Sequence, residues 1–136
     1  MLCPGQPVQA AEGRDLTVIC LGTAVHDALE AMALLRGRCT MDIFALTSIR
    51  PLDTTALGAS IRKTGMVLTV EHHSTHGGAD SIAAELVAEN DLGARLKRLG
   101  VPEGTFTRNA PASFNKTFFG LDGEGIAAEI GNLLEK

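Results

Sequence analysis

The sequence predicts an α/β fold, a three-layer α/β/α sandwich around a mostly parallel sheet of about five strands. The first observation is a pair of apolar runs, at 16–21 and 66–70, in which hydrophobic residues follow one another without alternation. Such runs are typical of strands covered on both faces in a parallel sheet. The second observation is that segments with hydrophobic residues at helical spacing lie between the predicted strands, joined by short Gly or Pro connections.

The chain opens with a segment that has no hydrophobic period. Residues 1–13 contain two Pro, two Gly and two Gln, and we predict a linker or disordered leader there, with the α/β domain spanning 14–136. Strand 16–21 is followed by the turn Gly22-Thr23 and by a helix over 24–35. The turn lacks the remaining glycines of a phosphate-binding loop, so we interpret it as a tight strand-to-helix connection.

A third strand is predicted at 41–46, and the helix that follows it has clear start and stop signals. Asp53 is positioned to accept hydrogen bonds from the first free N–H groups, which predicts a helix that begins at Thr54. Gly65 can adopt the left-handed conformation that ends helices, so this helix should end near Thr64. Strand 66–70 must then begin almost at once.

The second half of the chain continues the alternation. Residues 79–89 predict a helix that starts after a Gly-Gly pair, and 96–101 predict a more polar strand at a sheet edge. Residues 102–123 are the least regular part, and 125–134 predict a closing helix.

Composition limits the possible functions. The 136 residues suffice for a single domain with a core of useful size, and 16 acidic against 12 basic residues, without a basic cluster, argue against nucleic acid or anionic membrane as a partner. The sequence contains neither an apolar stretch of ~18 residues nor a signal peptide, so we expect a soluble, cytoplasmic protein. The three cysteines form no CxxC pair and are interpreted as small core residues.

The candidate functional loop follows strand 66–70 and carries three of the four histidines ahead of the Gly-Gly pair. Ligands usually dock at the carboxyl edge of an open parallel sheet, which is where this loop should lie. We predict that Glu71, His73, His76, Gly77 and Gly78 form a substrate-funnel or interface loop, in which the two glycines allow close backbone approach. A purely structural role for the loop is the alternative.

Other chemistries have weaker support in the residues. The histidines do not follow the H-E-x-x-H order and have no second cluster to complete a metal site, so we predict no bound metal. Ser74 and Ser81 lie near histidines but outside any G-x-S-x-G turn. We therefore assign no catalytic residue to this chain.

Several short motifs together resemble the C-terminal domain of the transketolase family, which includes transketolase, deoxyxylulose-phosphate synthase and the beta subunits of 2-oxo acid dehydrogenases. Each motif is loose, but they occur in the family's order from residue 13 onward. The motifs are Gly13 to Ile19, Gly22 to Val25, Ile49 to Asp53, Lys63 to Gly65, Thr69 to His73, Gly77-Gly78, Leu99 to Pro102 with Phe106, and Phe119 to Asp122.

The resemblance implies part of a thiamine diphosphate-dependent transferase that moves two-carbon ketol units between sugar phosphates, as in pentose phosphate metabolism. Thiamine diphosphate and a divalent metal such as Mg²⁺ would bind to the N-terminal domains or subunit of the complete enzyme. This chain would bind no cofactor itself, would contribute to assembly, including a homodimer contact, and would be inactive alone. Asp122-Gly123 is not the family's metal-diphosphate signature, because it sits in a turn before the last helix.

Two alternatives remain open from the sequence. The chain could be the C-terminal region of a deoxyxylulose-phosphate synthase or of a 2-oxo acid dehydrogenase beta subunit. It could also be a free-standing protein-interaction module that docks a partner through the edge from Glu71 to Gly78.

Overall fold

The computed structural model describes residues 5–74, 77–102 and 112–135, without the side chains of His73, Ser74, Ala112 and Ser113. Within these residues, strands and helices alternate along most of the chain. In chain order the elements are β1 (Val8–Ala11), β2 (Leu16–Leu21), α1 (Ala24–Leu34), β3 (Met41–Leu46), α2 (Thr55–Thr64), β4 (Met66–Ser74), α3 (Ala79–Glu89), β5 (Arg95–Val101), α4 (Ala112–Phe118) and α5 (Gly123–Leu134).

The five strands form one sheet in the order β1-β3-β2-β4-β5. Strands β3, β2, β4 and β5 are parallel to one another, and β1 pairs antiparallel with β3 at the edge. The prediction of a mostly parallel sheet of about five strands is therefore confirmed. Because parallel strands end at one edge, the segments that follow β2, β3 and β4 are brought together there.

The alternation of side chains along the strands divides the core into two halves. On β4, Leu68 and Val70 pack with α1 and α5, whereas Val67 packs on the other face with α2 and α3. On β2, Val18 and Cys20 join the first cluster and Ile19 joins the second. The sheet is thus covered on both faces, which confirms the three-layer α/β/α sandwich and explains the unbroken apolar runs.

Strong local signals gave accurate predictions for several elements. Helix α2 ends at Thr64, and Gly65 has φ 72°, the predicted left-handed stop. The helix begins one residue later than predicted, at Thr55, whose N–H donates to Oδ1 of Asp53 at 3.0 Å. Cys20 and Cys39 are buried free thiols, as expected of core residues, while Cys3 lies outside the described residues.

Three parts of the prediction are corrected by the structure. Strand β4 extends to Ser74, so Glu71 and His73 lie in the strand and not in the loop predicted after residue 70. The leader predicted over 1–13 contains strand β1, which is stabilised by pairing with β3. Its sequence has no hydrophobic period that would indicate a strand. The irregular region predicted over 102–123 contains helix α4, and α5 begins at Gly123 after capping by Asp122, which accepts from the Gly125 N–H at 2.9 Å.

A buried polar network joins the amino ends of the strands to α2. Asp42 is 1% exposed and accepts hydrogen bonds from the Ser60 hydroxyl at 2.6 Å and the Gly13 N–H at 2.9 Å. The ammonium group of Lys63 lies 2.7 Å from the same carboxylate. Since these partners satisfy the buried charge, the network fixes α2 against the sheet at the edge opposite the candidate site.

Candidate functional site

The candidate site lies at the carboxyl end of β4, where successive side chains leave on opposite faces of the sheet. Glu71 points to the α3 side, since its Oε1 accepts a hydrogen bond from the Ala79 N–H. His72 points to the α1 side, where its Nε2 lies 3.1 Å from Oδ2 of Asp27. One strand end therefore connects to helices in both outer layers.

The first turn of α3 is occupied by the chain's own side chains. In addition to the contact between Ala79 and Glu71, the Gly78 N–H donates to Oδ1 of Asp80 at 3.1 Å. The Gly77 N–H donates to the Ser81 hydroxyl at 3.0 Å. These three backbone N–H groups at the helix entrance could otherwise bind an external anion, but each already donates to a side chain of this chain.

Glu71 and Asp80 form a pair of deeply buried carboxyl groups, 1% and 0% exposed. Burial raises the pKa of Glu71 to about 7 against the lowering effect of the Ala79 N–H, and the charge of Asp80 adds to the increase. Oε2 of Glu71 has no hydrogen-bond partner within the described residues. The guanidinium of Arg98 on β5 lies 3.4 Å from Oδ2 of Asp80.

Gly78 is where backbone and carboxyl approach most closely. A Cβ atom placed on Gly78 would overlap Oε1 of Glu71 and lie 2.8 Å from its Cδ. Any side chain at this position would therefore displace the buried carboxyl. Gly77 has a different role: its φ is +78°, and a Cβ there would meet nothing within 4 Å, so conformation rather than space favours glycine.

On the α1 side of the sheet, Asp27 joins three elements. It is 5% exposed, and its two oxygens contact His72 at 3.1 Å and the Lys116 ammonium group at 3.0 Å. Because Lys116 belongs to α4, this carboxylate attaches α4 to the end of β4 and to the first turn of α1.

The predicted site residues are brought to this edge only in part. Glu71, Gly77 and Gly78 surround the entrance of α3, but Glu71 is internal, and the close approach at Gly78 is to Glu71 itself. The side chain of His73 and the whole of His76 lie outside the described residues. The proposed funnel or interface role of the loop stays a prediction.

The site also contains residues that the sequence interpretation left out. His72, Asp27 and Asp80 are the most important, since each makes a polar contact at the carboxyl edge. The strand alternation could have assigned Glu71 and His72 to opposite faces. No local pattern connects His72 with Asp27, which is 45 residues away.

An open cleft of about 420 Å³ lies beside the entrance of α3. Its walls come from the segment between β3 and α2, including Arg50 and Leu52, and from one face of α3, including Ser81 and Glu85. Gly77 and Gly78 also line the cleft. The cleft therefore depends on how α3 is seated.

The described residues do not suit a diphosphate or its metal ion. They contain no group of three or more His, Cys, Asp or Glu side chains arranged to hold a metal. The α3 entrance is filled by the Glu71 and Asp80 carboxyl groups, which already accept the Ala79 and Gly78 N–H groups that a diphosphate would need. Among the helices of the described residues, none has the length and apolar content needed to cross a membrane.

Comparison with known proteins identifies the family. The family model described as "Transketolase, C-terminal domain" matches residues 5–126, nearly the whole chain. The fold and this match together define a C-terminal domain of the transketolase type. The chain belongs to the transketolase C-terminal domain family, which confirms the resemblance found in its motifs.

Individual relatives include both separate subunits and longer chains. One subunit of the apulose-4-phosphate transketolase of Phocaeicola vulgatus is 35% identical over 127 residues, covering 92% of this chain and 39% of that protein. The 1-deoxy-D-xylulose-5-phosphate synthase of Syntrophotalea carbinolica is 32% identical over 131 residues, covering 96% of this chain and 20% of that protein. This chain thus spans well under half the length of these relatives.

Among solved structures, a split-gene transketolase in the form of an inactive beta4 tetramer superposes with a TM-score of 0.86. The two sequences are 28% identical, and the match covers 96% of this chain and 43% of that chain. The shared fold agrees with the family assignment.

Proposed function

We propose that this chain is the C-terminal section or small subunit of a thiamine diphosphate-dependent transketolase-type transferase, which moves two-carbon ketol units between sugar phosphates. Thiamine diphosphate and a divalent metal such as Mg²⁺ bind to the N-terminal domains or partner subunit of the complete enzyme. This chain binds neither and is inactive alone. It acts in the cytoplasm, without nucleic acid or membrane partners, and contributes contacts to assembly, including a homodimer contact.

The main support for a cofactor site outside this chain is the hydrogen bonding at the entrance of α3. Helix entrances bind phosphates through free N–H groups, but here Ala79, Gly78 and Gly77 donate to Glu71, Asp80 and Ser81 of the same chain. The family match, together with the small share of each relative that this chain spans, supports a cofactor site located elsewhere in the enzyme.

A complementation experiment tests the proposal. The N-terminal domains of the enzyme are purified with and without this chain, and ketol transfer is measured with thiamine diphosphate and Mg²⁺ present. We expect turnover only when both parts are combined. Turnover of a ketose by this chain alone would contradict the proposal, as would full activity of the remaining domains without it.

The comparisons also favour a second substrate class. Deoxyxylulose-phosphate synthases match at 32% identity over most of this chain, close to the 35% of the transketolase subunit. The same assembled enzyme should therefore be assayed with pyruvate and glyceraldehyde 3-phosphate. Formation of deoxyxylulose phosphate, without ketol transfer between sugar phosphates, would assign the chain to that class.

The histidine loop is tested in the same assembly. If His73 and His76 reach the substrate funnel, replacing both with Ala should lower turnover or raise KM. The exposed His26 on α1 provides the control variant, since it lies on a different element. Unchanged kinetics in the double variant, with normal assembly, would assign the loop a structural role.

A further inference from the structure

The seating of α3 depends on two carboxyl groups that are both removed from water. Glu71 at the end of β4 receives the Ala79 N–H, and Asp80 in the first turn of α3 receives the Gly78 N–H. Glu71 is 1% exposed and Asp80 is 0% exposed. Two negative charges that lie close together and away from water repel each other strongly, so the folded chain favours a state in which the pair carries one proton.

The surroundings show which carboxyl group holds the proton. Asp80 has a cation at 3.4 Å, the guanidinium of Arg98 on β5, and its other oxygen accepts an N–H, so both of its oxygens are suited to negative charge. Glu71 accepts the Ala79 N–H through Oε1, and its Oε2 has no partner among the described residues. A neutral Glu71 beside an ionised Asp80 is therefore the lower-energy arrangement.

Other charged groups near this strand end do not change the assignment. Within the described residues, Asp80 on α3 faces Glu71, and Arg98 on β5 reaches Asp80 from the other side. His72 on β4 leaves on the opposite face and pairs with Asp27 of α1. The adjacent end of β2 contributes the apolar Leu21, which belongs to the same side of the core as α2 and α3.

We propose that Glu71 is held as a neutral carboxylic acid in the folded chain, and that its ionisation loosens the first turn of α3. The protonation state of the Glu71–Asp80 pair then controls how firmly this turn is held beside the cleft. Loss of the proton puts two negative charges on the Glu71–Asp80 pair, which is almost completely buried. The first turn of α3, which lines the cleft, must then shift or open to admit water.

The direction of the pH effect follows from the pKa of Glu71. The pKa of Glu71 rises from the ordinary 4.5 in the unfolded chain to about 7 in the folded chain because the carboxyl is buried. The folded state therefore holds the proton more tightly, and stability falls as pH rises between these two values. From pH 5 to pH 8 the Glu71 contribution should lower the folding equilibrium constant on the order of 50- to 100-fold.

The test compares E71Q with wild type, because glutamine keeps the shape and neutrality of the protonated acid. Urea unfolding of the full chain is measured at pH 5 and pH 8, with E85Q as the matched control, since Glu85 is an exposed carboxylate on α3, the helix whose first turn contacts Glu71. We expect wild type and E85Q to lose stability with pH much more steeply than E71Q. Parallel pH profiles for E71Q and wild type would overturn the proposal.

A direct titration of the wild type decides the question if E71Q does not fold. Carbon-13 NMR of labelled side-chain carboxyl groups follows the ionisation of Glu71, and amide exchange of Ala79 follows opening of the helix turn. We expect Glu71 to titrate near neutral pH, with Ala79 exchange accelerating over the same range beyond the intrinsic trend. Titration of Glu71 below pH 5 would overturn the proposal. Neither readout requires cofactor or partner, so this inference can fail while the proposed function stands.

Discussion

Replacing Gly78 with Ala tests the close approach between the α3 entrance and the Glu71 carboxyl. The new Cβ would overlap Oε1 of Glu71 and lie 2.8 Å from Cδ, so the carboxyl must move. Overpacking a buried site costs ~1–3 kcal/mol, and breaking the hydrogen bond from the Ala79 N–H to a buried carboxyl costs ~1–3 kcal/mol more. The expected loss is about 2–6 kcal/mol, a large part of the stability of a typical domain.

Gly78 suits this test because its φ is −111°, outside the left-handed region that favours glycine, and because the added Cβ meets the Glu71 carboxyl directly. The chain contains no Trp and no Tyr, so unfolding in urea is best followed by far-ultraviolet circular dichroism. The change in the free energy of unfolding then gives the cost directly.

Gly58→Ala is the matched control. Gly58 lies within α2, and a Cβ there would meet nothing within 4 Å, so this substitution should stabilise the chain by roughly 0.5–1 kcal/mol. In addition, Glu71→Ala combined with Gly78→Ala should cost less than the two single changes added together, since the overlapping group is gone. A cost below ~0.5 kcal/mol for Gly78→Ala, or simple additivity of the pair, would refute the reasoning.

The remaining predictions concern the core. Burial raises the pKa of Asp42, but hydrogen bonds from Lys63, Ser60 and Gly13 outweigh burial and hold the pKa below its ordinary 3.8. Its stabilising contribution is therefore full above that value and is lost as pH falls through the lower folded-state pKa. Asp42→Asn should cost about 2–3 kcal/mol at pH 7 in urea unfolding, and a neutral substitution would contradict the network. Burial, with the charge of Asp27 adding to it, raises the pKa of the buried Cys20 thiol to about 12. Iodoacetamide should therefore modify Cys20 only in denaturant. Rapid labelling of Cys20 in the folded protein, found by peptide mapping, would contradict this prediction.

The elements that the sequence predicted well are those whose signals are local. Helix α3 matches its predicted bounds, and Gly65 ends α2 in the left-handed conformation, because stripe spacing and a stop residue act within a few positions. Strand β1 was missed because it is stabilised by pairing with β3, more than 30 residues away. Its short sequence has no pattern that would indicate this partner.

The candidate site was predictable in location but not in its connections. The carboxyl end of β4 follows from the order of strands and helices, and the Gly-Gly pair indicated close packing there. The use of that space by Glu71 itself depends on how α3 folds back onto the strand. The contacts of Asp27 with His72 and Lys116 join residues 45 and 89 positions apart, so only the folded chain brings them together.

Calorimetric titration of thiamine diphosphate with Mg²⁺ into the purified chain tests the central claim most directly. The α3 entrance is filled by the chain's own carboxyl groups, so we expect no heat of binding at millimolar cofactor, and binding only once the N-terminal domains are added. Tight, saturable binding by this chain alone would contradict the account.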